Sequence, residues 1–288
     1  MKLVGVIGYP LGHSLSPIFQ QAAFDALGLE VRYERWETPP HRLGEVVASL
    51  RLPDRLGANV TVPHKEAVIE LLDELDLTAR EAGAVNTIVH RDGQLVGYNT
   101  DVPGFLRALQ EAGFQAQGAR ALVLGAGGGA RAVALALVQQ QAAMVVIANR
   151  TYHRAFRLAD ALRPLAQRTV VRSIPLTYSA LQDAGPVWDL IVNCTTLGMP
   201  GTPEADKSPL PPELIPEQAF VFDLVYGPKP TPLVRMARQR GARAVDGLAM
   251  LVYQGAESFA LWTGLQPPLE VMMEAARRAL ASGPSEDG

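Results

Sequence analysis

Three observations predict an α/β chain of two domains, the second built on a doubly wound parallel sheet. A length of 288 residues fits two domains, and hydrophobic residues at 48% suffice for packed cores. Past Gly113, short apolar runs alternate with amphipathic stretches in the strand–helix rhythm that gives a parallel sheet. Near the middle, Gly125-Ala126-Gly127-Gly128-Gly129-Ala130-Arg131 joins an apolar strand, Ala121 to Leu124, to an apolar helix from Ala132 to Val138.

Composition removes several functional classes. A formal net charge of -3 gives no overall field for nucleic acid. The single cysteine, Cys194, excludes an internal disulfide and a multi-cysteine metal site, so no metal is expected. No apolar run approaches the roughly 20 residues of a membrane span, and Lys2 to Gly8 is too short for a secretory core. A soluble, cytoplasmic protein with no nucleic-acid or membrane partner is expected.

In chain order, Leu3, Val4, Val6 and Ile7 form a strand that ends at Gly8-Tyr9-Pro10. In Leu11-Gly12-His13-Ser14-Leu15-Ser16-Pro17, Ser16 is a ready N-cap before Pro17, for a helix that Gly28 closes. Ser14 has no such local task, and the two hydroxyls beside a strand end suit a polar ligand. Val31 to Trp36 reads as a strand and His41 to Leu50 as a helix. Gly57 to Val62 is a strand stopped by Pro63, with a helix from about His64 to Leu72. Lys65 thus lies at a strand-to-helix junction near a carboxyl end of the sheet, where open α/β sheets hold ligands. The alternative for it is an exposed, solvated charge. Gly83-Ala84-Val85-Asn86-Thr87 leads into a hairpin turning at Asp92-Gly93. Asn86 fits a turn and Asp101 the N-cap of a helix from Val102 to Gly113. Yet Ser14, Thr61, Lys65, Asn86 and Asp101 all fall at element ends and together offer donors, an acceptor and an acid–base candidate.

In the second half, Gly125 makes the tight turn, Gly127 lets a pyrophosphate approach the backbone, and Ala130 lets helix pack on strand. The helix N-terminus then faces an anion; a tight connection without a ligand is the alternative. Further strands read at Met144 to Ala148, Val170 to Ser173, Leu190 to Cys194, Phe220 to Leu224 and Arg243 to Val245. The strand from Met144 ends in Asn149-Arg150-Thr151, with Arg154 in the next helix's first turn. NAD calls for an acid here to accept from the ribose hydroxyl, whereas a 2′-phosphate calls for arginine. No acid is present, so the dinucleotide expected is NADP. Cys194 reads as a small buried hydrophobe. Tyr226, in the loop after the fifth strand, either packs or offers its hydroxyl to a ligand. Asp246 to Gln254 starts a last long helix in which Gln254 is a lone polar residue, a satisfied core amide or a ligand group. The tail from Ser282 reads as disordered.

Taken together, these segments resemble the shikimate dehydrogenases over nearly the whole chain. The residues that carry the resemblance are Ser14-Leu15-Ser16-Pro17, Asn59-Val60-Thr61-Val62-Pro63-His64-Lys65, Gly83 to Thr87, Asn99-Thr100-Asp101, the Gly125 loop, Asn149-Arg150-Thr151 with Arg154, and Asp246 to Gln254. The resemblance implies NADPH-dependent reduction of 3-dehydroshikimate to shikimate, in the biosynthesis of chorismate and the aromatic amino acids. It implies that Ser14, Ser16, Thr61, Asn86, Asp101, Tyr226 and Gln254 hold the substrate, with Lys65 as the catalytic residue and Asp101 orienting its amine. It places NADP on Gly125, Ala126, Gly127, Gly128, Gly129, Asn149, Arg150, Thr151 and Arg154, with Leu224, Gly247 and Met250 near the nicotinamide. It also implies a split fold: a substrate-binding α/β domain with a mixed sheet, 1–102 and 246–288, and a Rossmann-like NADP-binding domain, 103–245, with a cleft between them. Gly129 departs from the pattern, since alanine is commoner there. The partner expected is the small-molecule substrate, and a homodimer is compatible with the reading. Three alternatives share the scaffold or part of it: a quinate/shikimate dehydrogenase with relaxed cofactor use, a folate-linked dehydrogenase, which the paired serines fit poorly, and a non-catalytic regulator that senses shikimate or quinate.

Overall fold

A computed structural model describes residues 1–12, 14–185 and 187–282. The chain forms two compact units, Met1–Gly104 with the chain from Leu251 on, and Phe105–Met250.

The first unit begins with β1 (Lys2–Gly8), buried from Val4 onward, followed by α1 (Ser16–Ala26) and β2 (Val31–Glu37). After α2 (Leu43–Ser49) comes β3 (Arg55–Val60), and β1 pairs in parallel with both β2 and β3. Then follow β4 (Glu74–Leu75), α3 (Leu77–Ala82), β5 (Thr87–Arg91) and β6 (Gln94–Tyr98). The hairpin turns where expected: Asp92 and Gly93 have φ of 50° and 85°, the positive pair that a tight two-residue hairpin needs. β3 runs antiparallel to β5, so the sheet is mixed, in the order β2-β1-β3-β5-β6-β4.

Strand alternation sorts β3 into two functions. Ala58 and Val60 join Ile7, Ile88 and Leu95 in an apolar core that packs against Leu43, Val47 and Leu50 of the α2 region. Each Val, Leu or Ile side chain among these, fully buried, stabilises the fold by roughly 1.5–3 kcal/mol. Asn59, between Ala58 and Val60, belongs to the opposite face, and there the sheet carries polar groups.

The helix expected from His64 to Leu72 is instead a loop followed by a 3-10 segment, Ala67–Leu71. The reason is a long-range bond: the Lys65 carbonyl accepts from the Val85 N–H at 2.8 Å, so it is taken before an α-helix can use it.

After α4 (Asp101–Glu111) the second unit follows the expected rhythm. Its elements are β7 (Arg120–Leu124), α5 (Gly128–Gln139), β8 (Met144–Asn149), α6 (Tyr152–Leu162) and β9 (Val170–Pro175). They continue as α7 (Tyr178–Asp183), β10 (Leu190–Asn193), β11 (Phe220–Asp223), α8 (Pro232–Gln239) and β12 (Arg243–Val245). All pair in parallel in the order β12-β11-β10-β7-β8-β9. The order reverses between β7 and β10, the switch point outside which doubly wound sheets bind ligands at the strands' carboxyl ends.

The chain closes with α9 (Leu248–Thr263) and α10 (Leu269–Ser282). The expected disorder of the tail past Ser282 lies outside the described residues. Among the described residues, no helix is long and apolar enough to cross a membrane, and no group of three or more His, Cys, Asp or Glu could hold a metal ion.

Candidate active site

In the first unit, Lys65 Nζ donates to Asp101 Oδ2 at 2.5 Å, with only 16% and 6% of the two side chains exposed. The alternative reading of Asp101, as the cap of its helix, does not hold. Asn99 Oδ1 takes the Val102 N–H at 3.3 Å, and Asp101 is itself the first helical residue. Relieved of capping, its carboxylate faces Lys65 on one oxygen and Asn86 Nδ2, at 3.0 Å, on the other.

Asn86 is no turn residue but the centre of a buried network. Its Oδ1 accepts from the Thr100 N–H at 2.7 Å and from the Thr87 hydroxyl at 3.2 Å. Its Nδ2 faces Thr100 Oγ1 at 2.8 Å, Asp101 Oδ1 at 3.0 Å and Gln254 Oε1 at 3.1 Å. A primary amide has two N–H groups for these three oxygens, and the Thr100 hydroxyl, itself donating to Gln254 Oε1 at 3.5 Å, serves on both sides. A carboxylate, amides and hydroxyls so gathered suit a ligand rich in hydroxyls.

Close helix approaches bring Gln254 to this cluster. A Cβ on Gly104, one turn into α4, would lie 2.8 Å from Gln254 Cβ, and one on Gly255 would lie 2.5 Å from the Phe19 ring of α1. Glycine at both positions lets α9 approach α4 and α1 more closely than any side chain would. Thr61 has a comparable arrangement, because Gly8 leaves room for its methyl group.

The serine pair reverses the expected roles. α1 has Leu15 at its N-cap with no side-chain cap bond, and Ser16 stands at the first helical position. Ser14 Oγ instead accepts from the Ser16 N–H at 3.4 Å, the short-range turn bond typical of serine. Ser16, 7% exposed, keeps its hydroxyl uncommitted to capping.

In the second unit the site is made of backbone. Gly125 has φ of 112°, and a Cβ there would lie 3.1 Å from the Cys194 carbonyl carbon. Gly127 is the N-cap of α5 with no side-chain cap bond, and nothing lies within 4 Å of where its Cβ would stand. The first N–H groups of α5 therefore face an open approach, as a pyrophosphate requires. The cradle fits NADP in this respect, and β8 fits as well: Asn149, half buried, donates to the Thr151 carbonyl at 2.9 Å, while Arg150, Thr151 and Arg154 are exposed at the strand end with no acid among them.

The unusual Gly129 has a packing reason: a Cβ there would lie 3.1 Å from Leu224 Cδ2. Gly247 has a stronger one, since its Cβ would collide with the Leu224 carbonyl, while its N–H donates to Val225 at 3.2 Å. Gly129, Leu224 and Gly247 are thus one packed group. Met250 is buried, Leu224 and Tyr226 are half buried, and Cys194, expected to be buried, is half exposed at its strand end.

Sequence reasoning missed a pair behind this group. Asn193 and Asp223 stand opposite each other on β10 and β11, with Asn193 Nδ2 donating to Asp223 Oδ1 at 2.8 Å. Asp223 also accepts from the Val225 N–H at 3.0 Å and the Thr231 hydroxyl at 2.6 Å. Burial pushes its carboxyl up to about 6 against the pull of these donors, with nearby Asp246 adding to the rise. Missed too were Tyr33, Asn59, Thr87 and Ser258, which join the Asn86 network. For Ser258 a signal existed: it lies four residues beyond Gln254, on the same helix face.

Comparison with known proteins identifies the family. Residues 6–88 match the pattern of the shikimate dehydrogenase substrate binding domain, 107–224 that of shikimate / quinate 5-dehydrogenase, and 247–277 that of the shikimate 5'-dehydrogenase C-terminal domain. The shikimate dehydrogenase (NADP(+)) of Moorella thermoacetica is 46% identical, covering 97% of this chain and 94% of its own. A crystal structure of shikimate 5-dehydrogenase from Thermus thermophilus, in complex with NADP(H) and shikimate, is 42% identical with a TM-score of 0.85, covering 97% of this chain and all (100%) of that one. A quinate dehydrogenase from Corynebacterium glutamicum in complex with NAD is 32% identical with a TM-score of 0.86, covering 96% of this chain and 99% of that one.

Proposed function

Because the chain belongs to the shikimate dehydrogenase family, we propose that it catalyses the reversible NADPH-dependent reduction of 3-dehydroshikimate to shikimate. The observation that carries the reading is the buried Lys65–Asp101 pair set beside an acceptor-rich network. Reduction of a ketone needs a hydride at carbon and a proton at oxygen, with negative charge growing on that oxygen. NADPH, when bound, supplies the hydride. Lys65 holds the proton at Nζ, where it can be given to the oxygen or taken back, and its ammonium stabilises the growing charge. Asp101 fixes the amine by accepting one of its three N–H bonds. Ser14, Ser16, Thr61, Asn86, Asp101 and Gln254 hold the substrate's hydroxyls and carboxylate, and Tyr226 adds a further hydroxyl.

The unit of Met1–Gly104 with the chain from Leu251 on is the substrate-binding unit in this reading, and Phe105–Met250 the NADP-binding one. Gly125, Ala126, Gly127, Gly128 and Gly129 receive the pyrophosphate, and Asn149, Arg150, Thr151 and Arg154 the adenosine 2′-phosphate. Leu224, Gly247 and Met250 wall the nicotinamide side. The same reading assigns the protein to aromatic amino-acid biosynthesis in the cytoplasm. Sedimentation of the purified protein tests the homodimer, which a monomer would refute.

The deciding experiment follows reduced-nicotinamide absorbance with shikimate or quinate and NADP+ or NAD+. Turnover of shikimate with NADP+ well above that with NAD+ is expected. Preferred turnover of quinate with NAD+ would replace the proposal with the quinate dehydrogenase reading, and shikimate binding without turnover would replace it with the sensor.

A further inference from the structure

Tyr33 is a buried polar residue for which the mechanism above gives no task. It lies in β2 opposite Val4 of β1, is 6% exposed, and its ring tilts against Trp262 at 6.2 Å. Packing accounts for the ring but not for the hydroxyl, which a phenylalanine would lack at nearly the same volume. That hydroxyl donates to Asn59 Oδ1 at 2.7 Å. The other end of Asn59, Nδ2, lies 2.9 Å from Ser258 Oγ, 3.2 Å from Thr87 Oγ1 and 3.3 Å from the Asn86 carbonyl. An amide can be turned end for end at almost no steric cost, so its direction is set by a neighbour that can only donate or only accept. Tyr33, Thr87 and Ser258 are hydroxyls that can do either, whereas the Asn86 carbonyl only accepts: it draws Nδ2 and leaves Oδ1 to the Tyr33 hydroxyl, which donates to it. Burial raises the phenol well above its ordinary pKa, with the Ser16 side chain acting on the same hydroxyl in the opposing direction. The phenol therefore keeps its proton, and with it the bond to Asn59, through the neutral range.

We propose that Tyr33 is a positioning residue for the substrate subsite: its hydroxyl holds the Asn59 amide oxygen on β3 and so keeps the Asn59 N–H groups in place against Thr87 and Ser258. Asn59 then presents N–H groups to Thr87 and Ser258, which leaves the Thr87 hydroxyl to donate to Asn86 Oδ1. On Asn86 Oδ1 that hydroxyl joins the Thr100 N–H, and Asn86 Nδ2 faces Asp101 and Gln254. The subsite is ordered before any ligand arrives, and this preorganisation is what removing one hydroxyl would take away.

This inference rests on the shikimate reading, so the parent protein is assayed first and Tyr33→Phe second, each as the full chain. The variant is expected to raise KM for shikimate about tenfold while KM for NADP+ stays within twofold, which follows from a lost hydrogen bond that leaves a buried acceptor unsatisfied. The NMR signal of the Asn59 side-chain amide is expected to shift in the same variant without ligand. An unchanged KM for shikimate, or a rise of both KM values together with a fall in melting temperature, would overturn the positioning role. An unmoved Asn59 signal would overturn it as well, even were the parent inactive on shikimate, the outcome that by itself defeats the functional reading.

Discussion

In the unit of Met1–Gly104 with the chain from Leu251 on, the polar groups at the candidate site are side chains: Lys65, Asp101, Asn86 and Gln254, each held by at least one other. In Phe105–Met250 they are chiefly backbone N–H groups at the start of α5, exposed by glycines that keep side chains out of the way. A side-chain site stores its specificity in mutual hydrogen bonds, so loss of one member disturbs the rest. A backbone site is set by the course of the chain and is upset mainly by added atoms. The first suits discrimination among similar small molecules; the second suits a cofactor shared by many enzymes.

Substitutions can break this contrast. The largest effect is expected from Lys65→Ala, which should lower kcat about 10²- to 10⁴-fold with little change in KM for NADP+. A near-normal kcat with only a raised KM for shikimate would make Lys65 a binding residue. Arg154→Ala should raise KM for NADPH about 10- to 100-fold and leave shikimate kinetics alone, as loss of a charge-assisted bond to phosphate predicts. Equal efficiency of the parent with NADH and NADPH would remove the basis for that expectation.

A smaller effect tests a buried side-chain cluster of the second unit, that of Asp223 with Asn193 and Thr231. The folded pKa of Asp223, about 6, lies above its ordinary 3.8, so the folded state favours the protonated form. Its contribution to stability is complete below pH 3.8 and is lost as pH rises through 6. Between pH 5 and 7 the parent should therefore lose about 1 kcal/mol of unfolding free energy relative to Asp223→Asn, measured by denaturant titration. A parallel pH dependence of the two proteins would show that Asp223 titrates normally. The smallest effect is expected at Gly129→Ala, where the new Cβ meets only the end of a leucine at 3.1 Å. A rise of about twofold in KM for NADPH would fit that flexible neighbour, whereas a tenfold rise would mean that the loop tolerates no added atom.

The same contrast governs what the sequence discloses. The inner strands of the second unit, β7, β8, β10 and β11, are buried on both faces and read as apolar runs, and the turn after β7 is written in glycine, so this fold is visible from local pattern alone. The side-chain site depends on partners far along the chain. Nothing near Lys65 shows that Val85 captures its carbonyl, and so the helix drawn there is wrong. Asn99 and Asp101 are both good capping residues, two positions apart, and only the Val102 N–H settles which one caps. Ser14 and Ser16 present the same ambiguity, with the opposite member taking the local bond from the one expected. Tyr33 is invisible because aromatic residues in strands are ordinary, and only its bond to Asn59 marks it.

The oxygens around Asn86 bear on how such a site tells one polyol from its near copies. A hydroxyl brought to this cluster can give its proton to a further lone pair of the Asp101 carboxylate or the Gln254 amide oxygen. An O-methylated or deoxygenated analogue brings no proton, and a buried oxygen then loses its solvent without gaining a donor. That penalty, about 1–3 kcal/mol for a neutral acceptor and more for the Asp101 carboxylate, acts through rejection of the wrong molecule rather than tighter grip on the right one.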